Sequence, residues 1–254
     1  MKRGFSRKTL WLSLVLGLAL LPAPALGQKA PHWTYEGAEG PNDWGKLDPG
    51  FAVCSNGHTQ SPIDIKNAKK ADLPPLKFDY NPVALNIIDN GHTIQINYAP
   101  GSTLTVGDKT YALKQFHFHH PSEEHISGQG FDMVAHLVHA DADGHLAVVA
   151  VLLKEGPSNP FLNSVWTNIP TEKGMAVDVS SVSLNVKELL PPDHGYFTFA
   201  GSLTTPPCSE GVTWYVLKNQ SSLSAEQLAA FTKIYPVNAR PVQPSNNREI
   251  RETK

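Results

Sequence analysis

The sequence predicts a mainly β, α+β protein: a single domain built on a large, twisted, mostly antiparallel central sheet with a few short peripheral helices. Three observations carry this expectation. Asn90-Gly91 lies between two β-rich runs, the strongest short-range signal for a hairpin. Five further runs rich in β-branched and aromatic residues follow it. Only two segments carry helix-start signals, and both are short. A chain of 254 residues, 41% hydrophobic and 17% charged, suits one large globular domain rather than a disordered or fibrous polymer.

Taken in order, the chain opens with the grammar of an export signal. Lys2, Arg3, Arg7 and Lys8 precede the apolar run Leu10 to Leu21, and small residues then lead to Gly27. A run of about a dozen apolar residues falls short of the roughly 20 that a membrane-spanning helix needs. Gln28, rather than cysteine, follows Gly27, which disfavours a lipidated terminus. Residues 1–27 are therefore expected to be a cleaved signal peptide. Residues 28–254 are expected to form one domain, periplasmic or secreted, with no membrane anchor after cleavage.

Residues 28–60 hold His32, Trp33, Tyr35, Trp44 and Phe51 among glycines and prolines without periodicity, as in an irregular arm packed by its rings. Strands are expected over Val83 to Ile88 and Thr93 to Tyr98, flanking the turn, then over Tyr111 to His119, Phe131 to His139, Leu146 to Lys154, Tyr196 to Ala200 and Val212 to Leu217. Asn159-Pro160 reads as a cap plus first-turn proline for one helix. Ser224-Ala225-Glu226-Gln227 reads as a capping box for another, with Leu228, Phe231 and Tyr235 as its apolar face. The polar tail from Ser245 is expected to be ordered only in part.

Charge excludes some functions. Lysine plus arginine (21) nearly balance aspartate plus glutamate (23), and removing the four basic leader residues makes the balance about −6. Such a chain offers no footprint for nucleic acid. Cys54 and Cys208 are the only cysteines, and an even count in an exported chain predicts one disulfide, two buried free thiols being the alternative.

The 11 histidines are sorted by strand geometry, because alternate side chains face opposite sides of a sheet. His117 and His119 share a face, while Phe118 and His120 point the other way. His136 and His139 differ by an odd number, so only one of them can join that pair. Three neutral imidazoles make chemical sense as a catalytic zinc site, leaving the full metal charge and one open position for water.

The company these histidines keep resembles the α-class carbonic anhydrases, in the exported bacterial form. The blocks are Thr59-Gln60-Ser61-Pro62-Ile63-Asp64-Ile65, Gln115-Phe116-His117-Phe118-His119, Ser122-Glu123-Glu124-His125, His136-Leu137-Val138-His139, Gly201-Ser202-Leu203-Thr204-Thr205-Pro206-Pro207 and Asn238-Ala239-Arg240-Pro241-Val242-Gln243-Pro244. They run in the family's order from about His32 to Arg248. The resemblance implies reversible hydration of CO2 to bicarbonate by zinc-bound hydroxide, with Zn2+ on His117, His119 and His136. It implies that Glu124 accepts the proton of Thr204 and so aims the threonine oxygen, that Thr205 lines the cavity, and that Val138, Val148, Leu203 and Trp214 form an apolar wall for CO2. His92 resembles the proton shuttle, with Tyr35, Asn90 and Gln95 organising the water between. Gln115 and the Asn238 backbone would hold His117 and His119, and His125 would be a structural hydrogen-bonding residue. Cys54 and Cys208 lie where such proteins carry a disulfide. Binding of inhibitor anions and sulfonamides, side esterase activity and a homodimer are also compatible with the resemblance.

The pattern breaks at one position. Two residues before His136, on the same strand face, the family supplies a glutamate, and here stands Val134. Valine cannot accept a hydrogen bond, so His136 must use water, another side chain or nothing, and weaker zinc retention is expected. The competing reading is a non-catalytic zinc- or ligand-binding protein of the same fold, but such relatives usually lose a ligand histidine. A metal scavenger would carry flexible histidine-rich tracts, unlike the apolar strand around Phe116-His117-Phe118-His119.

Overall fold

The computed structural model describes Met1 and residues 31–254, so the expected signal peptide otherwise lies outside the described residues. A 13-stranded sheet dominates. Its main path runs Val177–Leu184, Val83–Asp89, Ile94–Asn97, Lys109–His119, Met133–Ala140, Leu146–Glu155, Glu210–Leu217, Tyr196–Ser202, Arg251–Thr253 and Lys69–Ala71. All seven expected strands are present. The hairpin forms as read, with Asp89 opposite Ile94 and Gly91 at φ +88°, a value that favours glycine.

Most pairs are antiparallel, but Leu146–Glu155 runs parallel to both Glu210–Leu217 and Ser221–Leu223. Parallel neighbours need a long crossover, and the chain between them carries the helix Pro160–Trp166. Short strands such as Leu76–Asp79 and Thr103–Val106, which pair with each other, were not legible in sequence. Four residues give little periodicity.

Alternation divides the side chains between two layers. Phe116, Phe118, Val149 and Val151 enter one core, whereas Val134, Val148, Ala150 and Leu152 enter a second. Leu146–Glu155 is thus buried on both faces, which is why it reads as an unbroken apolar run. The helices Pro160–Trp166 and Ala225–Thr232 contribute Phe161, Leu162, Val165 and Phe231 to the first core. Asn159 Oδ1 accepts from Phe161 N–H, and Ser224 with Gln227 forms the expected capping box. Gln227 Nε2 also donates to Asn163 Oδ1 at 2.7 Å, tying one helix to the other. Among the described residues no helix is long and apolar enough to cross a membrane.

The arm is packed by its rings, as expected: Trp33, Tyr35 and Trp44 meet edge to face around the Cys54–Cys208 disulfide, which is formed. The tail departs from expectation. Arg248 Nη1 donates to Ala200 O, Nη2 donates to Gln60 O and Pro244 O, and Arg251–Thr253 adds a strand beside Tyr196–Ser202. Polar composition hid this because the anchoring is by backbone carbonyls. Gly201 marks another close approach, since a Cβ there would lie 2.2 Å from Ser61 Oγ and 2.7 Å from Trp214 Cδ1.

Candidate metal centre

Strand register assembles the histidines. His117 lies directly opposite His136 across the antiparallel pair Lys109–His119 and Met133–Ala140, and His119 lies opposite Val134. The three rings of His117, His119 and His136 come within 4.7–5.5 Å of one another, centroid to centroid. One nitrogen from each forms a group within 4.8 Å that could hold a metal ion. His139 falls on the opposite face, with Nε2 2.7 Å from Tyr80 Oη. Parity had left His136 or His139 open, and the register selects His136.

Each ring uses its outward nitrogen on protein. His117 Nδ1 lies 2.8 Å from Gln115 Oε1, and His119 Nδ1 donates to Asn238 O at 2.7 Å. His136 Nε2 lies 3.0 Å from Glu124 Oε2. The inward atoms are then Nε2, Nε2 and Nδ1, and His119 Nε2 is buried without any hydrogen-bond partner among the described residues. A buried orphan nitrogen is costly unless something else takes its lone pair. Burial also holds all three imidazoles neutral, His119 to about 4 and His136 to about 3, with His117 well below its ordinary value. Neutral imidazole is the ligating form.

Glu124 does not stand where the resemblance put it. Its side chain is turned onto His136, and the carboxyl whose pKa the Thr204 side chain lowers against burial is that of Glu123, whose Oε2 has no hydrogen-bond partner among the described residues. Glu123 Oε1 accepts from the Arg240 backbone N–H at 2.7 Å, and Arg240 is itself locked by Nη1 donating to Ser61 O and Nη2 to Cys54 O. The two neighbouring carboxyls both approach His136, Glu123 Oε2 at 3.8 Å from its Nδ1 and Glu124 Oε2 at 3.0 Å from its Nε2, but only Glu124 is within hydrogen-bond reach. Sequence offered both in Ser122-Glu123-Glu124-His125, and the resemblance pointed to Glu124, whose side chain the structure places on His136 instead. Burial raises both carboxyls, Glu123 to about 7 and Glu124 to about 8. Glu124 is also the side chain that His136 finds in place of a carboxylate at Val134.

Other expected residues fall around this centre. Val148 and Trp214 are buried in the second core, with Val138 and Leu203 packed partly exposed against it, and the Trp214 ring stands 4.9 Å from that of His136. Thr204 is buried and Thr205 partly exposed beside it. Asn90 Oδ1 accepts from the His92 and Thr93 N–H groups, and Asn90 Nδ2 donates to Gln95 Oε1. Gln95 in turn sits opposite His117 in register. The Tyr35 hydroxyl is buried without a hydrogen-bond partner among the described residues, and burial pushes its pKa well up. His92 stacks on Trp33 with centroids 3.7 Å apart, a contact that the sequence did not reveal. Burial, then the charges of His32 and Lys173, lower its pKa. Asn238 Nδ2 donates to His92 O, so one residue braces both His92 and His119. His125 stands apart: its backbone N–H donates to Ile63 O, and its ring makes no hydrogen bond among the described residues, contrary to expectation.

A family profile described as eukaryotic-type carbonic anhydrase matches residues 39–254. The carbonic anhydrase of Pectobacterium carotovorum is 46% identical over 220 residues, covering 86% of this chain and 90% of that one. Among solved structures, a hyperthermostable carbonic anhydrase from a hydrothermal vent chimney superposes with TM-score 0.85 at 44% identity, covering 88% of this chain and 100% of that one. The α-carbonic anhydrase of Thermovibrio ammonificans, solved with sulfanilamide, gives TM-score 0.84 at 42% identity, covering 88% and 99%. With the family profile matching most of the chain and the fold shared over nearly all the described residues, this protein belongs to the α-class carbonic anhydrases.

Proposed function

We propose that this carbonic anhydrase hydrates CO2 at a zinc ion held by His117 Nε2, His119 Nε2 and His136 Nδ1. The observation that carries the ligand set is the division of labour in each ring, outward nitrogen on protein and inward nitrogen toward a common point. Zinc bound there would supply a Lewis acid able to lower the pKa of water to about 7, a value already known for carbonic anhydrases themselves. Glu123, rather than Glu124, then receives the Thr204 proton. An ionised carboxylate only accepts, so the threonine hydroxyl must donate to it and keeps its own lone pairs for the reacting oxygen. The backbone of Arg240 fixes the carboxylate in that role. Val138, Val148, Leu203 and Trp214 present apolar surface to a neutral gas, and Thr205 lines the same cavity.

His92 passes protons between the site and buffer, with Tyr35, Asn90 and Gln95 organising the path. Its ring is half-buried and stacked on Trp33. Aromatic sulfonamides and small anions would bind in the same cavity, a reading supported by the sulfanilamide complex of the Thermovibrio ammonificans relative. The chain is exported with cleavage after Gly27, a reading supported by the leader pattern and by a disulfide that an oxidising compartment preserves.

Stopped-flow CO2 hydration on purified protein, with metal content measured in parallel, tests the proposal. One zinc per chain, loss of activity on chelation and recovery with zinc are expected. Retention of full activity by metal-free protein would refute it.

A further inference from the structure

We propose that Glu124 is the positioning residue for His136, supplying from the loop before His125 the carboxylate that the strand lacks at Val134. The inference rests on the ligand tripod of the proposed function. Val134 is fully buried among Ile63, Ile65, Val148 and Leu152, and nothing on its side chain can hold an imidazole N–H. Glu124 reaches the same ring from a different element. Its Oε2 lies 3.0 Å from His136 Nε2, and its Oε1 has no hydrogen-bond partner among the described residues.

A carboxylate that merely held the loop would be expected to spend its oxygens on the loop. Here the loop is held by other groups: Ser122 Oγ donates to Glu124 O at 3.0 Å, and Ser122 N–H donates to Phe131 O. Both contacts survive any change of the Glu124 side chain. What the side chain alone supplies is an acceptor for His136 Nε2–H. That hydrogen bond selects the tautomer with a free lone pair on Nδ1, the nitrogen facing His117 and His119, and fixes the ring's rotation. The neighbouring Glu123 cannot substitute, because its Oε1 is engaged by the Arg240 N–H and its Oε2 lies 3.8 Å from the opposite nitrogen, Nδ1.

The test reads zinc release into a chromophoric chelator from zinc-loaded native protein, Glu124→Met and Glu124→Gln. Methionine matches the volume without an acceptor, and release about 10–100-fold faster than native is expected, with glutamine, which keeps an acceptor but no charge, in between. Adding Val134→Glu to Glu124→Met restores the carboxylate from the strand and slows release again. Release from folded Glu124→Met within about twofold of native would overturn the proposal. An independent check on the native protein is the 15N-resolved imidazole spectrum: a hydrogen-bonded His136 Nε2–H is expected, and protonation at Nδ1 instead would overturn the proposal even if the variants failed to fold. Failure of the tripod itself is distinguishable, since His117→Ala would then bind zinc as tightly as native.

Discussion

Replacing the disulfide by Cys54→Ser with Cys208→Ser gives a magnitude that can be worked from the structure. The bridge spans 154 residues of chain. Loop-closure entropy for a loop of that size is about 17 cal/mol/K, or about 5 kcal/mol at 25 °C, all of it in the unfolded ensemble. A domain of this size loses about 2–4 °C of Tm per kcal/mol, so a fall of about 10–20 °C is expected. The folded site should survive. Gln60 Nε2 donates to Cys208 O, Cys208 N–H donates to Thr205 O and Arg240 Nη2 donates to Cys54 O, all through backbone atoms that serine retains. Calorimetry of the zinc-loaded proteins, with urea titration alongside, is the assay. The urea slope should rise because an open unfolded chain exposes more surface. A Tm within about 3 °C of native, or an unchanged urea slope, would refute the reasoning that the bridge acts on the unfolded chain.

The other predictions concern the site. Thr204→Ala and Glu123→Gln should each lower kcat/KM for CO2 hydration by about 10²-fold, as removal of one orienting hydrogen bond does elsewhere. Equal losses from Glu124→Gln and Glu123→Gln, with unchanged zinc release in both, would contradict the division of roles between the two glutamates. His92→Ala should lower kcat by about 10²-fold in dilute buffer while leaving kcat/KM nearly unchanged, with recovery on adding imidazole. Absence of rescue would remove His92 from proton transfer. The metal-free protein should be most stable near pH 6.5, measured as the urea midpoint against pH. Folded pKa values near 4, 3 and 4 for His119, His136 and His139 lie below the ordinary 6.5, so their contribution is present above that value and lost as pH falls toward 4. Folded values near 7 and 8 for Glu123 and Glu124 lie above the ordinary 4.5, so theirs is present at low pH and lost as pH rises through 7 to 8. Zinc should flatten the upper limb, because a nearby cation favours the ionised carboxylates.

The sequence by itself determined the sheet, the hairpin, both capped helices and the pairing of His117 with His119, because each follows from local chemistry. Turn type, capping residues and two-residue alternation are written in consecutive letters. Its blocks also carried the family. Only tertiary structure decided matters that depend on distant segments. Register placed His136 opposite His117 and sent His139 to Tyr80. Arg248 anchored a tail whose composition looked loose. Above all, the segment before His125 brought two adjacent glutamates beside His136, but the Arg240 N–H holds Glu123 while Glu124 alone reaches the ring within hydrogen-bond distance, so that a residue missing from the strand is replaced from outside it. Neighbours in sequence share a backbone but not a direction, and the direction of each side chain is set by what packs around it.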